Sequence, residues 1–179
     1  MDLKPQDVLV SLKIALIHNQ QPTFERLAQE LNLESSAIHR AIQRASHAGL
    51  LRQENRRSLR PQTRALEEFL IHGIRYCFAA TYGGPPTRGM PTAHAAPPLN
   101  ILILSDGDPP PVWPDAQGTV RGLPLIPIHK SVPFAARHDP RLYEFLSLID
   151  TLRIGRARER ALAQRELSAR LLALDGTPA

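Results

Sequence analysis

Seven arginines (Arg40, Arg44, Arg52, Arg56, Arg57, Arg60 and Arg64) fall within residues 34–64, against only Glu34 and Glu54. That local excess of positive charge equals the formal net charge of the whole 179-residue chain, +5. Elsewhere the balance is close to even: residues 81–138 carry four bases and three acids, and residues 139–179 carry seven and six. One basic stretch on a near-neutral background is the footprint of a surface that holds phosphates, since guanidinium groups bind oxyanions through both charge and paired N–H donors. On charge alone, a solvated arginine-rich face is the plainer alternative.

Other groups carry weaker chemical signals. Asp106 and Asp108 suggest a two-carboxylate metal site, but they sit in a glycine/proline turn where aspartate is common anyway. His94, His129 and His138 lack metal-ligand spacing, and no nucleophile elbow, phosphate-binding glycine loop or dinucleotide fingerprint occurs. A single cysteine, Cys77, excludes an intramolecular disulfide framework and any multi-cysteine metal centre. It reads as packed on an apolar helix face rather than as a redox sensor. Trp113, in a Pro-Val-Trp-Pro string, reads as packing rather than as the wall of a ligand pocket. The expectation is a protein that is not an enzyme and uses no cofactor. No apolar run approaches the ~18 residues of a membrane span, and the first residues, Met1-Asp2-Leu3-Lys4-Pro5, lack the pattern of a signal peptide. A cytoplasmic protein without membrane contact is therefore expected.

The elements that would position the basic residues are legible from periodicity. A helix should begin near Lys4-Pro5 and bury Val8, Leu9, Leu12, Ala15 and Leu16 before Asn19-Gln20-Gln21-Pro22 breaks it. Thr23 should cap a short helix over Phe24–Leu31, with Leu27, Ala28 and Leu31 inward. After the turn Asn32-Leu33-Glu34, Ser35 or Ser36 should cap a third helix running to about Ala48, ended by Gly49. Ile38, Ile42 and Ala45 face inward on it, leaving Ser35, Ser36, His39, Arg40, Gln43, Arg44 and His47 outward. Strands at Leu50-Leu51-Arg52 and Ser58-Leu59-Arg60 then flank a turn, Glu54 to Arg57, with Arg56 and Arg57 at its tip. A fourth helix, Gln62 to about Ala80, carries Leu66, Phe69, Leu70, Gly73, Ile74 and Cys77 on one face.

This order of elements, with the string Thr23-Phe24-Glu25-Arg26-Leu27-Ala28-Gln29-Glu30-Leu31, then Ser35-Ser36-Ala37-Ile38-His39-Arg40-Ala41-Ile42, and the closing Ala48-Gly49-Leu50-Leu51, resembles the winged helix-turn-helix of bacterial transcriptional regulators, most nearly the MarR-like group. The resemblance covers residues 5–80. Asn32 stands where glycine is frequent, and asparagine accepts the left-handed conformation such a turn needs. The wing carries no Asp-x-Arg, an arrangement typical of MarR proteins. A third helix of this kind fits the major groove. Ser35 and Ser36 would then hold a phosphate at the helix N-terminus, with His39, Arg40 and Gln43 spaced to reach base edges. Arg44 would touch phosphate, and Arg56 and Arg57 backbone or minor groove. The resemblance implies repression by promoter occupancy, with double-stranded DNA as partner and a homodimer as the acting form.

Thirteen of the 17 prolines lie between Pro85 and Pro140, which nearly excludes long helices there. Gly83 to Pro91 is the most linker-like stretch, with an ordered extended loop as the alternative. Leu99 to Leu104 reads as a short buried strand, and Val112-Trp113 with Thr119-Val120-Arg121 as a hairpin around residues 114–118. Leu123 to Ile128 reads as edge or extended chain. Asp139-Pro140 is a strong helix start, with Leu142, Phe145, Leu146, Ile149 and Leu152 inward. Arg153 to Leu174 continues helically after a break at Gly155, with Leu167, Leu171 and Leu174 as a stripe that packs either across a dimer axis or on its own chain.

The fold class expected is thus α+β, mostly α: a winged helix-turn-helix over 1–80, a proline-rich segment with short strands over 81–138, and C-terminal helices over 139–179. The function expected is a sequence-specific DNA-binding regulator with a protein or small-molecule effector. The alternative is a protein-interaction module, or an antitoxin-type protein, that binds DNA weakly and a protein partner through residues 81–179.

Overall fold

A computed structural model describes residues 2–20, 22–53, 58–103 and 107–175. The chain is α+β. The first helix, α1 (Pro5–Ile17), is buried on every side from Asp7 to Ile17, so Val10, Ile14 and Ile17 join the core beside the apolar face expected from sequence. The charged groups of a helix buried all round need counter-charges. Lys13 accordingly places Nζ 2.6 Å from a Glu30 carboxylate oxygen and 2.7 Å from one of Asp139, and Asp7 meets Arg44.

Thr23 caps α2 (Phe24–Leu31) as expected, its Oγ1 accepting from the Arg26 N–H at 3.2 Å. Asn32 closes that helix at φ 50°, in the left-handed region. In α3 (Ser35–His47) the N-cap is Glu34, without a side-chain cap bond, in place of the serine cap expected. Ile38, Ala41, Ile42 and Ala45 bury its inner side. Gly49 follows at φ +77°, where a side chain would be strained. Strands β1 (Leu51–Gln53) and β2 (Leu59–Pro61) pair antiparallel, Arg52 opposite Arg60, one residue further along the chain than expected. Their turn, with Arg56 and Arg57, lies outside the described residues.

The next helical stretch is not one regular helix. Between α4 (Thr63–Glu68) and α5 (Ile74–Cys77), residues Phe69–Gly73 form a π-helical turn. The inserted residue changes the spacing of the inward face to Leu66, Leu70 and Ile74, all fully buried, with Phe78 packed behind them. Cys77, expected on that face, is therefore exposed.

The proline-rich middle is ordered. Strands β3 (Thr87–Pro91), β4 (Pro111–Pro114) and β5 (Val120–Pro124) close a three-stranded barrel. The expected hairpin between the last two is absent: β4 and β5 run parallel, and β3, inside the stretch that looked linker-like, is the antiparallel partner of both. Closure depends on glycine. A Cβ on Gly89 would strike the Trp113 carbonyl, one on Gly122 the Pro110 carbonyl, and one on Gly118 the Gly89 backbone. The expected strand at Leu99 is instead a 3-10 turn, Leu99–Ile101. The N–H groups of Leu99 and Asn100 donate to the Ala96 carbonyl and those of Leu102 and Ile103 to that of Leu99, bonds of a local turn rather than of a ladder. Leu99 is buried but Ile101 is 82% exposed.

A short helix α6 (Val132–His138) precedes α7 (Pro140–Ile154), which Asp139 caps by accepting from the Leu142 N–H at 3.0 Å. Like α1, α7 is surrounded: residues 145–152 are all buried. After the break at Gly155, α8 (Ala157–Asp175) lays Ala163, Leu167, Leu171 and Leu174 against α7 and α4 of the same chain. One cluster of buried side chains, from Val8 to Leu174, draws on all three segments of the sequence.

Candidate nucleic-acid interface

The outer side of α3 collects most of the residues marked out by the sequence. Ser35, Ser36, His39, Arg40, Gln43 and His47 are all exposed. Arg40 and Gln43 have no side-chain partner among the described residues. The His39 ring meets Phe24, the first residue of α2, edge-on at 5.8 Å, which steadies it without covering it. Ser36 Oγ lies 3.5 Å from a Glu34 carboxylate oxygen, so an anion at this helix end would share the site with a carboxylate.

Arg44 is the exception. It is 6% exposed and turned inward, donating Nε to Asp7 Oδ2 at 2.8 Å and Nη2 to Oδ1 at 2.6 Å. The hydrogen bond to Asp7 lifts its pKa above the ordinary arginine value. A forked guanidinium–carboxylate pair satisfies both groups without water. The outward, phosphate-touching role read for Arg44 is thereby corrected: its guanidinium fixes α3 to α1. The hairpin adds exposed Arg52 and Arg60, which face each other across the strands, and Arg64 follows at the start of α4.

The weaker candidates take other positions. Asp106 lies outside the described residues, and Asp108 is exposed. His129 Nδ1 is 2.8 Å from Ser131 Oγ, and His138 Nδ1 is 2.8 Å from the Phe134 carbonyl. Burial, with the charge of Lys130 adding to it, pushes the His129 pKa down. Among the described residues no group of three or more potential metal ligands occurs.

Trp113 is packed, with 1% of its surface exposed, beside Tyr143 at 5.7 Å. Its Nε1 donates to Asp150 Oδ2 at 2.6 Å, where Thr92 Oγ1 also donates at 2.8 Å; Arg153 Nη1 reaches Oδ1 at 2.6 Å. Burial raises the Asp150 pKa against these three donors. Sequence reasoning does not mark Asp150, and it marks Asp7 only as a favourable acid at the N-terminal end of α1, not as the partner of Arg44. The signal available was position: each is a charge inside a helix too apolar to offer it a solvated face.

Among the described residues no helix is long and apolar enough to cross a membrane. No protein-family model, no curated protein and no solved structure matches the chain.

Proposed function

We propose that the chain is a sequence-specific double-stranded-DNA-binding transcriptional regulator, with α2, its turn and α3 as a helix-turn-helix and the β1–β2 hairpin as a wing. The observation that carries this reading is the division of α3. Its inner side is locked by Ile38, Ile42 and the Arg44–Asp7 pair, while Arg40 and Gln43 stand outward without side-chain partners among the described residues. Arginine suits a guanine edge and glutamine an adenine edge. Arg52, Arg60 and Arg64 supply charge for the backbone, and the proposed regulator acts as a repressing homodimer, as the family resemblance implies.

Selection from a pool of random duplexes tests it, with affinity followed against salt. A dimer neutralising ~6–8 phosphates gives a log–log salt slope of about −5 to −7. Half-sites about one helical turn apart are expected in the enriched sequences. Arg40→Ala and Gln43→Ala should abolish discrimination between sequences; indifference to both changes would sink the reading.

One observation favours a second reading, a protein-interaction module. Tyr82, Ile101, Leu102, Leu123 and Ile126, from the middle of the chain, are large apolar side chains with 37–82% of their surface exposed. Partner binding that maps to residues 90–138, with DNA affinity unaffected by the α3 changes, would favour it.

A further inference from the structure

Six lysine or arginine side chains among the described residues are buried or half-buried: Lys13 and Arg44 are buried, and Arg75, Arg153, Arg160 and Arg170 are half-buried. Taking a cation out of water is costly unless an anion accompanies it. Four of the six obey that rule: Lys13 meets Glu30 and Asp139, Arg44 meets Asp7, Arg153 meets Asp150, and Arg170 meets Glu144 and Glu166. Arg75 and Arg160 have no carboxylate partner among the described residues, and both line the same cleft.

That cleft, of about 270 Å³, lies between α8 and the π turn with α5. Besides the two arginines, its polar lining is His72, Tyr76 and Gln164, and no carboxylate lines it. Ile71, Leu152 and Ala161 give it an apolar side. Both guanidinium groups are held. Arg75 sits 5.3 Å from the Tyr76 ring centroid, and Arg160 donates Nη1 to the Gly155 carbonyl, leaving its other N–H groups for a ligand. His72 enters the lining from within the π turn, an irregularity that recurs at functional sites.

We infer that this cleft binds a small organic oxyanion, a carboxylate or a phosphate monoester on an apolar body, which supplies the counter-ion missing from Arg75 and Arg160. The inference stands apart from the reading of α3 and does not require it.

The test is a titration of the 179-residue chain with phenyl phosphate, benzoate and benzyl alcohol, followed by backbone amide shifts. Saturable binding of at least one anion is expected, with shifts centred on residues 71–76 and 157–164. The tighter of the two anions identifies the class. Arg75→Gln with Arg160→Gln should weaken it by about tenfold or more, whereas Arg165→Gln, an exposed arginine of the same helix, should leave it unchanged. If the double variant fails to fold, the shift map on the unaltered chain decides alone. No saturation by either anion below ~10 mM, equal binding of benzyl alcohol, or shifts centred elsewhere would overturn the inference. Displacement of the anion by duplex DNA would also overturn it, because the cleft would then belong to a nucleic-acid surface.

Discussion

Two regions of this molecule are each tied to the central helices through one buried aspartate, and the ties differ in kind. In the N-terminal region, Asp7 of α1 holds α3 through a two-pronged bond to Arg44. In the middle region, Asp150 of α7 holds the barrel through neutral donors, Trp113 Nε1 and Thr92 Oγ1, and needs Arg153 of its own helix for charge. The first is a charge-for-charge link between two helices, able to keep one face of α3 fixed while the other is free. The second gathers strand, loop and helix on one carboxylate, so no element there moves without disturbing the rest.

The largest effect is expected at Asp150. Asp150→Ala leaves two neutral donors and a cation without their acceptor, and should cost about 3–5 kcal/mol, read by urea denaturation with Trp113 fluorescence as the probe. Arg44→Ala should fall at the lower end of the same range, because it strands the single charge of Asp7. The double replacement Asp7→Leu with Arg44→Met should recover most of that loss, since a matched apolar pair needs no counter-charge. If the double variant is as unstable as the single one, the link does more than balance charge.

A smaller effect concerns pH. Burial raises the Asp139 carboxyl, but the Lys13 hydrogen bond and the Leu142 N–H outweigh it, so its pKa lies below the ordinary 3.8. A carboxylate depressed in the folded state stabilises the fold above its unfolded pKa, and the contribution disappears as pH falls through the folded value. Asp139→Asn keeps a capping oxygen and removes the charge. Denaturation curves taken from pH 7 to pH 2 should therefore show a shallower acid loss below about pH 4 for this variant.

The smallest effect on stability, and the sharpest contrast, is at Arg40, one helical turn before Arg44. Arg40→Ala should shift stability by less than about 0.5 kcal/mol, yet weaken binding to a selected duplex by about 1–3 kcal/mol. Direct titration of both variants separates an outward reader from an inward anchor.

What the sequence made legible was local. Thr23, Asn32, Gly49 and Asp139-Pro140 mark helix ends through bonds reaching only three or four residues, and each stands where expected. Arg44 was not legible because it lies at the edge of the inward stripe, beside Ala41, and only Asp7, 37 residues earlier, turns it in. The π turn escaped because the regular helical spacing of Leu66, Phe69, Leu70 and Gly73 gives no sign of an inserted residue. The barrel escaped because its register is set by close approach of Gly89, Gly118 and Gly122 to distant backbone, which no periodicity records. The outer face of α3 was readable as a row of polar residues, and the two arginines of the α8 cleft were not, since only folding brings Arg75 and Arg160 together.

Lys13 and Asp139 are 126 residues apart in the chain. At roughly 5–20 residues per second, a ribosome needs roughly 6–25 s to make the second after the first. For that interval α1 can pack on α2, α3 and β2 but not on α7, and Lys13 has Glu30 but not Asp139. The side of α1 that α7 covers stays open until then.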